Sequence, residues 1–216
     1  MSTTSAQNKS LPDRSDETSW WNNRWVEGRT GWDLGGPHPH TEDLIQKCQS
    51  LGLANAAAVL LPGCGRAHDG ALLARKGLRV TATDISSAAI AEATTLYGSE
   101  ANLTIKEGDA LTCPASELTS FDLILDRAML CALRPELRPL YLEACSSRLR
   151  PGGLFAGILF ARVADGIAGP PFAIASEELV RLFGCQFEIL VDNERFDGSC
   201  DDRILAERIF IARRIG

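Results

Sequence analysis

From residue 56 to residue 183 short apolar runs and helix-length amphipathic stretches take turns, and this alternation constrains the fold more than any other feature of the chain. Strands are expected at 56–61, 79–83, 103–107, 121–126 and 154–160, with helices between them at 69–76, 86–97 (capped by Ser86), 135–148 and 176–183. Strands separated by helices cannot pair through tight turns, so they should lie parallel in one sheet covered on both faces. The rhythm changes at the end. Segments 186–192 and 204–213 are both strand-like with only a short Gly-containing connection, which predicts an antiparallel hairpin at the sheet edge. Upstream, 16–27 and 41–51 read as helices, the second with Thr41 as N-cap and Glu42 and Asp43 in its first turn. Residues 1–15 are polar and expected to be a disordered tail, leaving 16–216 as a single domain that begins with a helical segment over about 16–51.

Composition removes several classes of function. No apolar run approaches the ~18 residues needed to cross a bilayer, and the polar start lacks a secretory core, so a cytoplasmic protein is expected. A net charge of −6 disfavours nucleic acid and acidic membranes as partners. Seven cysteines stand singly, without the Cys-x-x-Cys spacing of a zinc or redox site, and read as reduced packing residues. His38 and His40 stand two apart, but a stable metal site needs about three or four converging ligands, and no metal is expected.

The first strand runs directly into Leu61-Pro62-Gly63-Cys64-Gly65 with a helix following. Glycine at such a turn lets a ligand approach the backbone where a side chain would collide with it. Asp84 ends the next strand about 20 residues on, placed to accept hydrogen bonds from ribose hydroxyls. Together they point to a nucleoside-bearing cofactor; the plain alternative is a tight turn with a helix-capping Asp. The dinucleotide fingerprint fails at His68, where its third Gly would stand, and there is no Gly-Lys-Ser/Thr phosphate loop. S-adenosylmethionine, which carries no phosphate, fits better. Its adenine would sit after the third strand at Glu107-Gly108-Asp109-Ala110, with Asp109 as hydrogen-bond partner or merely as part of a polar turn.

All four tryptophans fall between residues 20 and 32, with Trp21 and Trp25 on one helical face and Trp32 in the Gly-rich stretch beyond. A sulfonium has no hydrogen-bond donor of its own, so aromatic faces are among the few side chains that hold it favourably. The segment reads as a lid over the cofactor or, more simply, as an amphipathic helix docked by its indoles.

These residues resemble the thiopurine methyltransferase family, which includes plant and microbial halide and thiol methyltransferases. The resemblance runs through WNNRWVEGRTGWD (21–33), LPGCG (61–65), VTATDIS (80–86), FDLILDRAMLCAL (121–133), Pro151-Gly152-Gly153, GPPF (169–172) and RLFG (181–184). It implies a Rossmann-like, class I methyltransferase sheet of seven strands with the last antiparallel, and a site in which Trp21, Trp25, Trp32, Gly63, Asp84, Ile85, Asp109, Ala110 and Asp126 attend the cofactor. It also places Arg127 where cofactor and substrate meet and Phe172 in the wall of the substrate pocket. Thr30-Gly31-Trp32-Asp33 and LPGCG lean towards the halide and thiol branch; Asp126-Arg127 is the thiopurine-type and bacterial pattern, where plant enzymes carry Asp-Tyr.

The expected reaction is methyl transfer to a small soft nucleophile (thiol, thiocyanate, bisulfide or halide) by in-line displacement in one monomeric chain, with a thiopurine or aryl thiol as the narrower alternative. Displacement needs alignment more than acid-base groups. Arg127 would draw in the anion and favour thiolate, or else pair structurally with Asp126 or another carboxylate. A nicotinamide oxidoreductase and a non-catalytic cofactor-binding protein are the competing classes.

Overall fold

The computed structural model describes residues 15–166, 168–195 and 204–216. The expected tail and the 196–203 connection lie outside the described residues, apart from residue 15, which begins the first helix. In chain order the elements are α1 (Ser15–Val26), α2 (Thr41–Ser50), β1 (Ala58–Pro62), α3 (His68–Arg75), β2 (Arg79–Asp84), α4 (Ser87–Tyr97), β3 (Leu103–Glu107) and β4 (Phe121–Arg127). They continue with α5 (Met129–Ala132), α6 (Arg138–Arg148), β5 (Leu149–Val163), α7 (Ser176–Phe183), β6 (Phe187–Arg195) and β7 (Ile204–Arg214).

One seven-stranded sheet has the order β3-β2-β1-β4-β5-β7-β6. Strands β1 to β5 pair in parallel, and β7 inserts antiparallel between β5 and β6. The fold is therefore the expected Rossmann-like, mostly parallel seven-stranded sheet, and the expected hairpin is present, with β6 at the edge. All five residues of β1 are buried, as a central strand with helices on both faces requires. Two apolar cores result. One packs α5, α6 and α7 against the sheet through Leu130, Tyr141, Phe155 and Phe183; the other packs α2, α3 and α4 through Leu44, Ile45, Leu73 and Ala93. The strand order reverses between β1 and β4, which opens a crevice at their carboxyl ends.

Local chemistry explains most boundaries. Ser86 caps α4, its Oγ accepting from Ala89 N–H, as expected. Thr41 is not a cap: it is the first helical residue, fully buried, and its hydroxyl donates to Asp69. The expected helix 135–148 is a 3-10 turn followed by α6. Strand β5 starts earlier than expected because Leu149 already pairs with Phe121. A register shift then absorbs Pro151-Gly152-Gly153 before Leu154 pairs with Leu123.

Candidate functional site

The crevice is a cavity built from strand ends and roofed by α1 and the loop after it. The turn after β1 forms its floor, with Gly63 at φ +62° and Gly65 at φ +51°. A Cβ at Gly63 would come 2.6 Å from Sδ of Met129, and one at Gly65 would come 3.0 Å from the Trp25 ring. The backbone is thus in the left-handed region that favours glycine, and the space above it is contested. Asp84 anchors this turn: one carboxylate oxygen accepts Gly65 N–H and the other Ser86 N–H, both at 2.9 Å. Burial holds its carboxyl above the ordinary range, against the opposing pull of N–H groups from Ser86, Gly65 and Ile85. Each oxygen retains acceptor capacity for a hydroxyl. Ile85, Gly108, Asp109 and Ala110 complete this side.

The indoles form a continuous roof. Trp20 meets Trp21 edge to face at 4.7 Å, Trp21 meets Trp32 at 5.4 Å, and Trp25 meets Trp32 at 5.9 Å. Trp25 is 4% exposed, lying on the glycine turn rather than in solvent. Three polar ties hold the roof down. Arg66 donates to Asp33 at 2.7 Å and to Glu92 of α4 at 2.6 Å, with its guanidinium 5.3 Å from the centre of the Trp25 ring. Asn22 Oδ1 accepts Ala88 N–H and the hydroxyls of Ser86 and Ser87, so α1 supplies acceptors to the start of α4. Arg134 pairs with Glu17 at 2.7 Å.

The far wall carries Arg127 at the end of β4, with Leu34, Asp69, Met129, Phe160, Pro170 and Pro171. Arg127 Nε is buried with no hydrogen-bond partner among the described residues, and the nearest carboxylate oxygen, Asp69 Oδ2, is 4.0 Å away. His38 N–H and Thr41 Oγ1 both donate to Asp69 Oδ1. His38 Nδ1 accepts His40 N–H at 3.2 Å, which leaves the ring proton on Nε2 to donate to Glu207 Oε1 at 3.1 Å. His38 thus ties the loop to β7. Among the described residues no three His, Cys, Asp or Glu side chains cluster as metal ligands.

Of the residues singled out from the sequence, Trp21, Trp25, Trp32, Gly63, Asp84, Ile85, Asp109, Ala110 and Arg127 all line this one cavity. Two do not. Asp126 is wholly buried behind the wall, where its carboxylate accepts Leu130 N–H and the Tyr141 hydroxyl. It points away because adjacent strand residues face opposite sides of the sheet, and Arg127 takes the cavity side. Phe172 packs its ring on Gly169, and the wall expected of it is formed by Pro170, Pro171 and Phe160. Asp33, Arg66, His68 and Asp69 also line the cavity and lie outside the set of site residues expected from the sequence. Only Asp69, an acid in the first turn after a glycine bend, carried a local signal, and that signal reads equally as a helix-end charge.

The cavity fits an adenosyl sulfonium. Its lining brings together the left-handed glycines of the turn, the Asp84 carboxylate at the end of β2 and the rings of Trp20, Trp21, Trp25 and Trp32.

Comparison with known proteins agrees. The family model for thiopurine S-methyltransferase (TPMT) matches residues 16–199. Thiocyanate methyltransferase 1 of Brassica oleracea is 34% identical over 170 residues, covering 77% of this chain and 72% of that one. Thiopurine S-methyltransferase of Pseudomonas fluorescens (strain SBW25) is 32% identical over 192 residues, covering 81% and 85%. The structure of Burkholderia thailandensis 1,6-didemethyltoxoflavin-N1-methyltransferase with bound 1,6-didemethyltoxoflavin and S-adenosylhomocysteine superposes with a TM-score of 0.73 at 20% identity, covering 96% and 92%, a likeness of fold alone.

Proposed function

Because this chain belongs to the thiopurine S-methyltransferase family of S-adenosylmethionine-dependent enzymes, we propose that it methylates a small soft nucleophile, thiolate, thiocyanate, bisulfide or halide, held at Arg127. The observation that carries this reading is the unsatisfied, buried Nε–H of Arg127 in the cavity wall. A buried donor of this kind costs about 1–3 kcal/mol unless something accepts from it, and a monoanion is the acceptor that also answers its charge.

When bound, S-adenosylmethionine supplies an electrophilic methyl carbon on a sulfonium. Gly63 and Gly65 let the backbone pass close to its amino-acid part, Asp84 accepts from the ribose hydroxyls, and Ile85, Asp109 and Ala110 take the adenine. The faces of Trp21, Trp25 and Trp32 offset the sulfonium charge at roughly 0.5–2 kcal/mol per contact. The segment of about 16–51 works as a lid that excludes water, and Arg127 holds the nucleophile in line within the dry space. The apolar surfaces of Leu34, Phe160, Pro170 and Pro171 suit a polarisable atom or an aryl ring. We assign the activity to a single chain in the cytoplasm acting on a small molecule or inorganic anion.

Methyl transfer to thiocyanate, iodide, bromide, bisulfide, an aryl thiol and a thiopurine, followed with a labelled methyl group, tests the reading. Turnover of several is expected. Tight adenosylhomocysteine binding without methylation of any of them would overturn it.

A further inference from the structure

Asp69 has two oxygens in different circumstances. Both hydrogen bonds it accepts, from Thr41 Oγ1 at 2.5 Å and His38 N–H at 2.9 Å, end on Oδ1. Its Oδ2 lies instead 4.0 Å from the unsatisfied Nε of Arg127, and both residues line the cavity. An available acceptor therefore stands beside an available donor. A halide or thiocyanate, which only accepts, answers half of this pair. A thiol answers both, because its S–H donates while its sulfur accepts.

The geometry points to Asp69 as the general base that takes the proton of a neutral thiol at this site, an assignment that rests on the soft-nucleophile reading above. The S–H bond breaks, its electron pair stays on sulfur, and the proton passes to Oδ2. The negative charge moves from the carboxylate to the sulfur, where Arg127 faces it and the methyl transfer consumes it. Water receives the proton after the thioether has left. The three other cavity carboxylates are committed elsewhere: Asp33 to Arg66 and Gly35 N–H, Asp84 to the N–H groups of Gly65 and Ser86, and Asp109 to Leu111 N–H. The groups around Asp69 are Arg127 from β4, Thr41 from α2, and His38 from the preceding loop with Glu207 of β7 behind it. The loop thereby orients the carboxylate by its Oδ1 and leaves Oδ2 to the substrate.

The test compares a proton-bearing substrate with one that has no proton to lose. In the wild type, kcat/KM for an aliphatic thiol should stay flat as the pH falls from about 8.5 to about 6, because acid and base are consumed together. In Asp69→Asn, whose amide oxygen can still accept from Thr41 and His38, only preformed thiolate should react, so kcat/KM should fall about tenfold per pH unit below the thiol pKa. The ratio of thiol to thiocyanate kcat/KM should consequently drop roughly thirtyfold at pH 7 and recover near pH 9.5. Calorimetric binding of adenosylhomocysteine reports whether the variant's cofactor site has formed. A purely structural Asp69 would lower both substrates together and leave the ratio fixed, which would overturn the assignment. So would a tenfold-per-unit slope in the wild type, a measurement that needs no variant. A wild type inactive on thiol and thiocyanate alike would instead defeat the soft-nucleophile reading.

Discussion

The two walls of the cavity are built by different means. The cofactor wall comes from ends of adjacent strands, with Gly63 and Gly65 after β1, Asp84 and Ile85 at the end of β2 and Asp109 and Ala110 after β3, stitched by backbone hydrogen bonds such as Cys64 N–H to the Thr83 carbonyl at 2.9 Å. The nucleophile wall gathers Leu34, Asp69, Arg127, Phe160 and Pro170 from across the chain, joined by side-chain ties that run from Asp69 through His38 to Glu207. A wall held by backbone tolerates change in most side chains. A wall held by side chains can be retuned one residue at a time, which suits a family whose named relatives act on different soft nucleophiles.

This contrast predicts where variants act. Arg127→Ala should bring the largest loss, about a hundredfold or more in kcat/KM for thiocyanate, comparable to removing one charge-stabilising donor. Adenosylhomocysteine affinity, measured by calorimetry, should move far less; equal losses in both would merge the two walls. Gly65→Ala should do the reverse. A left-handed Cβ costs about 1–2 kcal/mol, and here it also presses on Trp25, so cofactor affinity should fall about tenfold or more. Unchanged affinity would show that the turn does not approach the ligand.

A third variant probes the support behind the nucleophile wall. The Asp126 carboxyl is pushed up to about 7, chiefly by burial, against hydrogen bonds from Tyr141, Leu130 and Met129 and the charge of Arg138. In the unfolded chain the same acid ionises near 3.8, so between these values the folded state binds more protons than the unfolded one. Its contribution is therefore full below about pH 4 and lost as the pH rises through about 7. Asp126→Asn should flatten this fall in stability, measured by urea unfolding at pH 5 and pH 7.5. An unaltered slope would remove Asp126 as its source. The smallest effect is expected from Arg66→Ala, which loosens the roof while leaving the floor glycines and Asp84 in place. A few-fold rise in KM for S-adenosylmethionine with little change in kcat would mark a tie, since each part-exposed ion pair is worth about 1 kcal/mol or less.

The cofactor wall was legible in the sequence for the same reason it is robust. Gly63, Asp84 and Asp109 each stand at or just after the end of a strand-like segment, and in a parallel sheet every strand ends at the same edge, so reading the strands already groups these residues. The nucleophile wall was only half legible. Resemblance points to Arg127, but it also places the neighbouring Asp126 at the cofactor, whereas strand alternation sends it to the other face, and Phe172 in the pocket wall, where the two preceding prolines form the surface.

From the chain alone follow the alternating strands and helices, the glycine bend with its carboxylate and the aromatic segment, because these depend on periodicity, backbone freedom and spacing within about 20 residues. Only the tertiary structure decided that His38 reaches Glu207, 169 residues away, that Thr41 and His38 occupy one oxygen of Asp69, and that the other faces Arg127. Such contacts leave no periodic trace. They are made when packed elements bring distant side chains to hydrogen-bond distance, a condition set in three dimensions.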